Sequence, residues 1–138
     1  MKIRKKDVLE IIVAFAVAWV FYQGLAVAFD SPMPIVSVVS GSMEPVMHRG
    51  DLAVVTGMAS YEIGDVVVYQ KPEIPYTIVH RIISKQTYED GTEKYTIKGD
   101  NNNAPDPLPV AVSEIQGKVQ FAIPLLGYPR LALMIFGI

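Results

Sequence analysis

The chain has 138 residues, 51% of them hydrophobic, a formal net charge of −2 and no cysteine. That length holds one domain with a modest core plus an anchor, and the lack of cysteine excludes both a disulfide framework and a thiolate metal site. After Phe29 the chain carries twelve acidic and eight basic residues, a balance of −4 that does not look like a nucleic-acid-binding surface.

In chain order, a basic cluster comes first. Lys2, Arg4, Lys5 and Lys6 place four of the twelve basic residues in the first six positions. Ile11 to Phe29 follows, nineteen residues without a formal charge. As a helix at ~1.5 Å per residue that run spans roughly 28 Å, close to the hydrocarbon thickness of a bilayer. The positive-inside rule puts the basic end in the cytoplasm and everything after Asp30 outside it. Ala26-Val27-Ala28 is a small-x-small sequence, so a cleaved secretory signal is a competing reading. The apolar run is longer than the ~7–15 residues of a typical signal core, and the expectation is an uncleaved anchor. A helix buried in a globular domain is a third reading.

Asp30-Ser31-Pro32-Met33-Pro34 reads as a short linker that two prolines hold extended. Ser42 is only thirteen residues beyond Phe29, which tethers it near the membrane surface. The apolar run Ile35–Val39 feeds directly into Ser40-Gly41-Ser42. Gly41 has no Cβ, so the backbone there turns tightly and comes close to a ligand. Ser42 is thereby presented at a strand end with its N–H and hydroxyl facing one space. Pro45 fixes φ beyond it, and Arg49-Gly50-Asp51 turns the chain into a second apolar run, Leu52–Val55. A serine set this way is a candidate nucleophile. An ordinary Gly/Ser hairpin turn is the structural alternative.

The remainder reads as strands and turns. Val66–Tyr69 and Tyr76–Ile83 are strands, Glu89-Asp90-Gly91 is a hairpin signal, and Lys94–Lys98 is the returning strand. A Pro/Asn/Asp loop spans Asp100–Pro109, and Ile115–Ile123 is a strand pair or one long bent strand. Short turns without helical periodicity predict an antiparallel, folded-over β domain. In Ile78-Val79-His80-Arg81-Ile82, strict alternation puts Ile78, His80 and Ile82 on one face. A histidine there is either a hydrogen-bonded structural residue or a base. The second histidine, His48, reads as a surface turn residue. Neither has metal-ligand spacing, which disfavours a metalloprotease, and no cofactor is expected. Phe121–Ile138 is apolar except for Arg130, with Pro124, Gly127 and Pro129 in its first half. It reads as a short interfacial tail, a truncated second span, or a strand end packed on the core.

Ser-Gly-Ser-Met-Glu-Pro at 40–45, Gly-Asp-Val-Val-Val-Tyr at 64–69, Val-His-Arg-Ile at 79–82 and Lys-Gly-Asp-Asn-Asn at 98–102 occur in that order. Together these four boxes resemble type I signal peptidases, most closely the branch found in archaea and the endoplasmic reticulum. The resemblance implies a mainly β fold: a single-pass N-terminal transmembrane helix, then a compact, mostly antiparallel signal-peptidase-like domain. Residues 1–29 would be a cytoplasmic tail and anchor, and 30–138 an extracytoplasmic catalytic domain in the cell membrane.

The resemblance also implies chemistry. A serine hydroxyl is a weak nucleophile until a base takes its proton. Ser42 would be that nucleophile and His80, at the place of the bacterial lysine, its general base. An imidazole's ordinary pKa of ~6.5 suits the task near neutral pH. The imidazole needs a carboxylate to fix its tautomer, and two lie in one loop. Spacing cannot separate them, but the resemblance implies Asp106 as the orienting acid and Asp100 as a supporting one. Otherwise Asp100 is an Asx-turn residue and Asp106 a pre-proline turn residue. The N–H of Ser42 and the hydroxyl of Ser40 would form the oxyanion hole. Met43, Ile35 and Val39 would line shallow pockets for small side chains. The implied substrates are secretory preproteins, bound extended by β-augmentation. The implied partners are the lipid bilayer and the protein-export translocon. Only nineteen residues separate His80 from Asp100, so the large inserted subdomain of bacterial relatives is absent or reduced to one hairpin. The alternatives are a non-catalytic peptide-binding paralogue and a self-cleaving repressor-type protease.

Overall fold

The computed structural model describes residues 2–124. Helix α1 (Lys5–Ala28) opens on the Arg4 N–H, which donates to the Asp7 carboxylate at 3.0 Å, and closes on the Phe29 N–H, which donates to the Leu25 carbonyl at 2.9 Å. It therefore begins earlier than the uncharged run. The charges of Lys6 and Glu10 pair along its first turns, 3.7 Å apart. None of its side chains is buried against the domain, and it is long and apolar enough to cross a membrane.

The expected linker is instead a packed junction. Ser31 and Pro34 are buried, and Asp30 adopts a left-handed φ of 50°. The Ser31 hydroxyl donates to the Gln116 carbonyl at 2.7 Å and accepts the Met33 N–H at 3.1 Å. The Gly57 N–H donates to the Phe29 carbonyl at 2.7 Å. A Cβ on Gly57 would overlap the Asp30 carbonyl oxygen, so only glycine lets the two segments meet. These bonds, with the Val55 N–H on the Pro34 carbonyl at 2.9 Å, tie the helix end to the domain.

Seven antiparallel strands form one sheet in the order β1-β2-β7-β3-β4-β5-β6. They are β1 (Ile35–Ser37), β2 (Leu52–Thr56), β3 (Val66–Tyr69), β4 (Ile78–Thr87), β5 (Glu93–Lys98), β6 (Val110–Ala111) and β7 (Ile115–Ile123). The mainly β, half-barrel architecture with one N-terminal apolar helix agrees with the expectation from sequence. The choice left open at the C-terminal end resolves to one long strand. β7 pairs with β3 through Ile115–Lys118 and with β2 through Lys118–Ile123, and it carries one extra residue against each, Gln116 beside β3 and Gln120 beside β2, bulges that bend the sheet. β4 begins at Ile78 rather than Tyr76 and runs on to Thr87 in a hairpin with β5. The reading of the tail after Pro124 lies outside the described residues.

β3 is buried on both faces. Val67 and Tyr69 join Tyr61, Ile82, Tyr95, Ile97, Val110 and Ile115 in one cluster, while Val68 packs with Val36 and Val55 in another. A third cluster, Val38, Met43 and Met47, lies under the segment that carries Ser42. Met43 and Met47 are 1% and 3% exposed. Burying each stabilises by about 1.5–3 kcal/mol, which pins the Ser42 turn to the sheet.

Candidate active site

β1 ends at Ser37, so Ser42 stands in the turn beyond it rather than at the strand end. The ladder to the β2 side nevertheless continues, with the Val38 N–H on the Asp51 carbonyl at 2.9 Å and the Gly50 N–H on the Val38 carbonyl at 2.8 Å. Those bonds and the two buried methionines hold the turn from one side. The loop after β5 holds it from the other. The Asn101 N–H donates to the Ser42 carbonyl at 2.8 Å, and the Asn101 side chain donates to the Gly41 carbonyl at 3.0 Å.

His80 lies in β4 opposite Val67, on the face it shares with Ile78 and Ile82. Its Nε2 is 3.0 Å from Ser42 Oγ. Its Nδ1 is 2.8 Å from Asp106 Oδ2 and 3.0 Å from Oδ1. His80 and Asp106 are each 11% exposed at the side chain, so their interaction is little screened. Asp106 is fixed by its own N–H, which donates to the Ile97 carbonyl at 2.8 Å. The structure thus brings Ser42, His80 and Asp106 into one hydrogen-bonded line. A base contacting the hydroxyl, and an acid contacting the far nitrogen of that base, can move a proton off the serine.

Asp100 is elsewhere. Its carboxylate forms a two-pronged pair with Arg81, Nε to Oδ1 and Nη2 to Oδ2, both 2.9 Å. Those hydrogen bonds hold its carboxyl below the usual carboxylate range. Arg81 Nη1 also donates to the Gly64 carbonyl at 2.7 Å, so the pair ties β4 to the turn before β3. Ser40 Oγ is 3.0 Å from Ser42 Oγ. His48 is exposed in its turn, where its N–H donates to the Asp51 carboxylate at 2.9 Å. Among the described residues no group of three or more His, Asp or Glu is placed to hold a metal ion.

A cleft of about 980 Å³ opens over this line, bordered by Val36–Ser40, Met43, Ile74, Tyr76–Val79 and Pro107. Met43 and Val39 line it. Ile35 does not; strand alternation turns it to the face opposite Val36, which takes its place.

Two residues that sequence reasoning passed over sit at the centre. The hydroxyl of Tyr69 donates to Asp106 Oδ2 at 2.6 Å. Burial pushes this phenol up, and its hydrogen bond to Asp106 pushes it further, so it remains a donor. Gly99 lies between nucleophile and base. A Cβ there would be 2.8 Å from the Ser42 carbonyl oxygen and 2.9 Å from His80 Nε2. Both residues fall inside boxes that the sequence displays, at 64–69 and 98–102, and that was the available signal.

Signal peptidase complex catalytic subunits SEC11 of Saccharomyces cerevisiae strains YJM789, RM11-1a and JAY291 are each 36% identical to this chain over 137 residues. The matches cover 93% of this chain and 82% of theirs. No family model matches it.

Proposed function

The chain belongs to the signal peptidase family and is a serine endopeptidase that removes signal peptides; from that premise we propose that Ser42 is its nucleophile, His80 its general base and Asp106 the acid that orients the base. The observation that carries this reading is the continuous line from Ser42 Oγ to His80 Nε2 at 3.0 Å and from His80 Nδ1 to Asp106 at 2.8 Å.

In the first step Ser42 Oγ attacks the carbonyl carbon of the scissile bond while His80 Nε2 takes its proton. The carbonyl oxygen becomes an oxyanion, met by the Ser42 N–H and by the Ser40 hydroxyl once that turns from Ser42 Oγ. His80 then gives its proton to the leaving amine, and an acyl-enzyme remains. Water, deprotonated by His80, attacks the ester and releases the signal peptide. Asp106 holds the Nδ1–H throughout and steadies the imidazolium. Asp100 supports the site indirectly, through its pair with Arg81 and the Asn101 bonds to the Ser42 turn.

β1 is the last strand of the sheet, so one of its edges is unpaired among the described residues and faces the cleft. An extended substrate adds there by β-augmentation. Val36, Val38 and Val79 crowd the floor and favour small side chains at the first and third positions before the cut. Residues 1–29 form the tail and anchor, with Lys2, Arg4, Lys5 and Lys6 in the cytoplasm and residues 30–138 outside it, at the cell membrane. The relatives' name describes a subunit of a signal peptidase complex. For this chain we extend that to secretory preproteins met at the protein-export translocon.

Incubating the detergent-solubilised protein with a preprotein and sequencing the product N-terminus tests the reading. Cleavage after a small-x-small site by wild type, with none by Ser42→Ala, is the expected result. Equal cleavage by Ser42→Ala would overturn the assignment.

A further inference from the structure

We propose that Tyr69 is a positioning residue for the reaction, acting through Asp106 to set the orientation and charge of the carboxylate that His80 faces. The proposal rests on reading Ser42, His80 and Asp106 as the catalytic line, and it adds a fourth member that bonds to the acid rather than to the serine or the base.

The geometry is specific. Tyr69 is 1% exposed and Tyr69 Oη is 2.6 Å from Asp106 Oδ2, a short bond of the kind a phenol makes to a charged carboxylate. The same Oδ2 is the atom nearest His80 Nδ1, at 2.8 Å. Two donors therefore converge on one oxygen, and the Asp106 N–H anchors the residue from behind. A carboxylate bonded by both donors, on a backbone tied at its own N–H, is held from rotating away from the imidazole.

The sheet makes this arrangement. Val67 pairs with His80 and Tyr69 with Ile78, so Tyr69 and His80 share a face as diagonal neighbours across β3 and β4. The Tyr69 ring is locked in the core with Ile82, Tyr95 and Ile97, which fixes the hydroxyl within hydrogen-bond reach of a loop residue 37 positions away. Asp106 stands on a loop, and a loop residue needs such support to hold a catalytic geometry to within about 0.5 Å.

A hydroxyl donor also draws charge from the oxygen it binds. Removing it leaves more negative charge facing His80, which favours the imidazolium form. The charged and titratable groups around the pair are few. Asp100, paired to Arg81, acts on His80, and Tyr76 and Glu114 act on Tyr69. None of them bonds to Asp106 Oδ2 among the described residues, so a change at the Tyr69 hydroxyl is read by His80 through Asp106.

The test compares the full chain in detergent with Tyr69 intact, changed to Phe, and replaced by 3-fluorotyrosine, whose hydroxyl is a stronger donor of nearly the same shape. Preprotein cleavage is followed against pH. Tyr69→Phe is expected to lower kcat roughly tenfold or more with KM little changed, the effect of losing one hydrogen bond to a charged group. The acid limb of kcat/KM should move to higher pH in Tyr69→Phe and to lower pH in the fluorotyrosine protein. A limb at the same pH in all three overturns the proposal, because a merely structural tyrosine would change the rate and not the limb. If Tyr69→Phe fails to fold, the fluorotyrosine comparison decides by itself. Asp106→Asn is assayed alongside. Full activity there would overturn the catalytic line itself, whereas loss of activity there with an unmoved limb in the Tyr69 series would overturn only the role of Tyr69.

Discussion

Gly99→Ala is the smallest change that should separate nucleophile from base. The φ of Gly99 lies outside the left-handed region, so alanine meets no backbone strain there and any effect is steric. The added methyl would lie 2.6 Å from Asn102 Nδ2, 2.8 Å from the Ser42 carbonyl oxygen and 2.9 Å from His80 Nε2. The Asn102 amide is a side-chain tip and can swing away. The Ser42 carbonyl cannot, because it belongs to a turn held by the Asn101 N–H at 2.8 Å and by buried Met43. His80 is held through Nδ1 by Asp106. Relief to van der Waals contact at ~3.5 Å needs about 0.6 Å of movement on each side. Part of that separation opens the Ser42–His80 bond, now 3.0 Å. A misplacement of ~1 Å costs on the order of a hundredfold in rate, and overpacking costs about 1–3 kcal/mol of stability. Initial rates of preprotein cleavage, paired with a thermal melt in the same detergent, measure both. Gly99→Ala is expected to lose about 10²-fold in kcat with KM nearly unchanged, and to melt several degrees lower. A kcat within twofold of wild type would refute the reasoning, since the methyl would then have found room that the geometry denies it.

Three further outcomes are expected. Ser42→Ala and His80→Ala should each cost about a thousandfold or more in kcat, and the double variant little extra, because the two act as one unit; His48→Ala should keep most activity, and a reversal of the two histidine results would sink the assignment. Asp100 is held low by Arg81, so the stabilisation its charge brings is full above the ordinary carboxylate range of pH ~4 and is lost as pH falls through its lowered folded range; with solvent screening, Asp100→Asn should cost about 1 kcal/mol, a few degrees of Tm, at pH 7 and progressively less as the pH is taken below the ordinary carboxylate range, and a gap independent of pH would count against the pair. Ala28 ends α1 with Val27 82% exposed beside it, so a helix end that frays in detergent should be cut slowly by a second molecule; mass spectra over days should show loss of residues 1–28 that slows on dilution and stops in Ser42→Ala, and a rate independent of concentration would point to cleavage within one molecule.

Local order along the chain was enough to mark the helix and most of the strands of this protein, though not β6. The uncharged run to Phe29 gave the apolar helix because length and hydropathy are local properties. Period-two alternation around His80 gave its strand and its face. The four boxes gave the family, which the relatives bear out.

What lies far apart in sequence was decided only by tertiary structure. Asp100 and Asp106 look alike on a loop, and it took the fold to set one against Arg81 and the other against His80. Tyr69 reads as one more aromatic in an apolar strand until β3 pairs with β4 and its hydroxyl meets Asp106. The linker looks free until Ser31 finds the Gln116 carbonyl, 85 positions on. β7 looks ambiguous until it is seen bridging β2 and β3. Each of these contacts joins residues whose separation carries no periodic signal. Closing such loops costs entropy that only the assembled core repays, so the partner of each group is fixed by packing rather than by its neighbours in the chain.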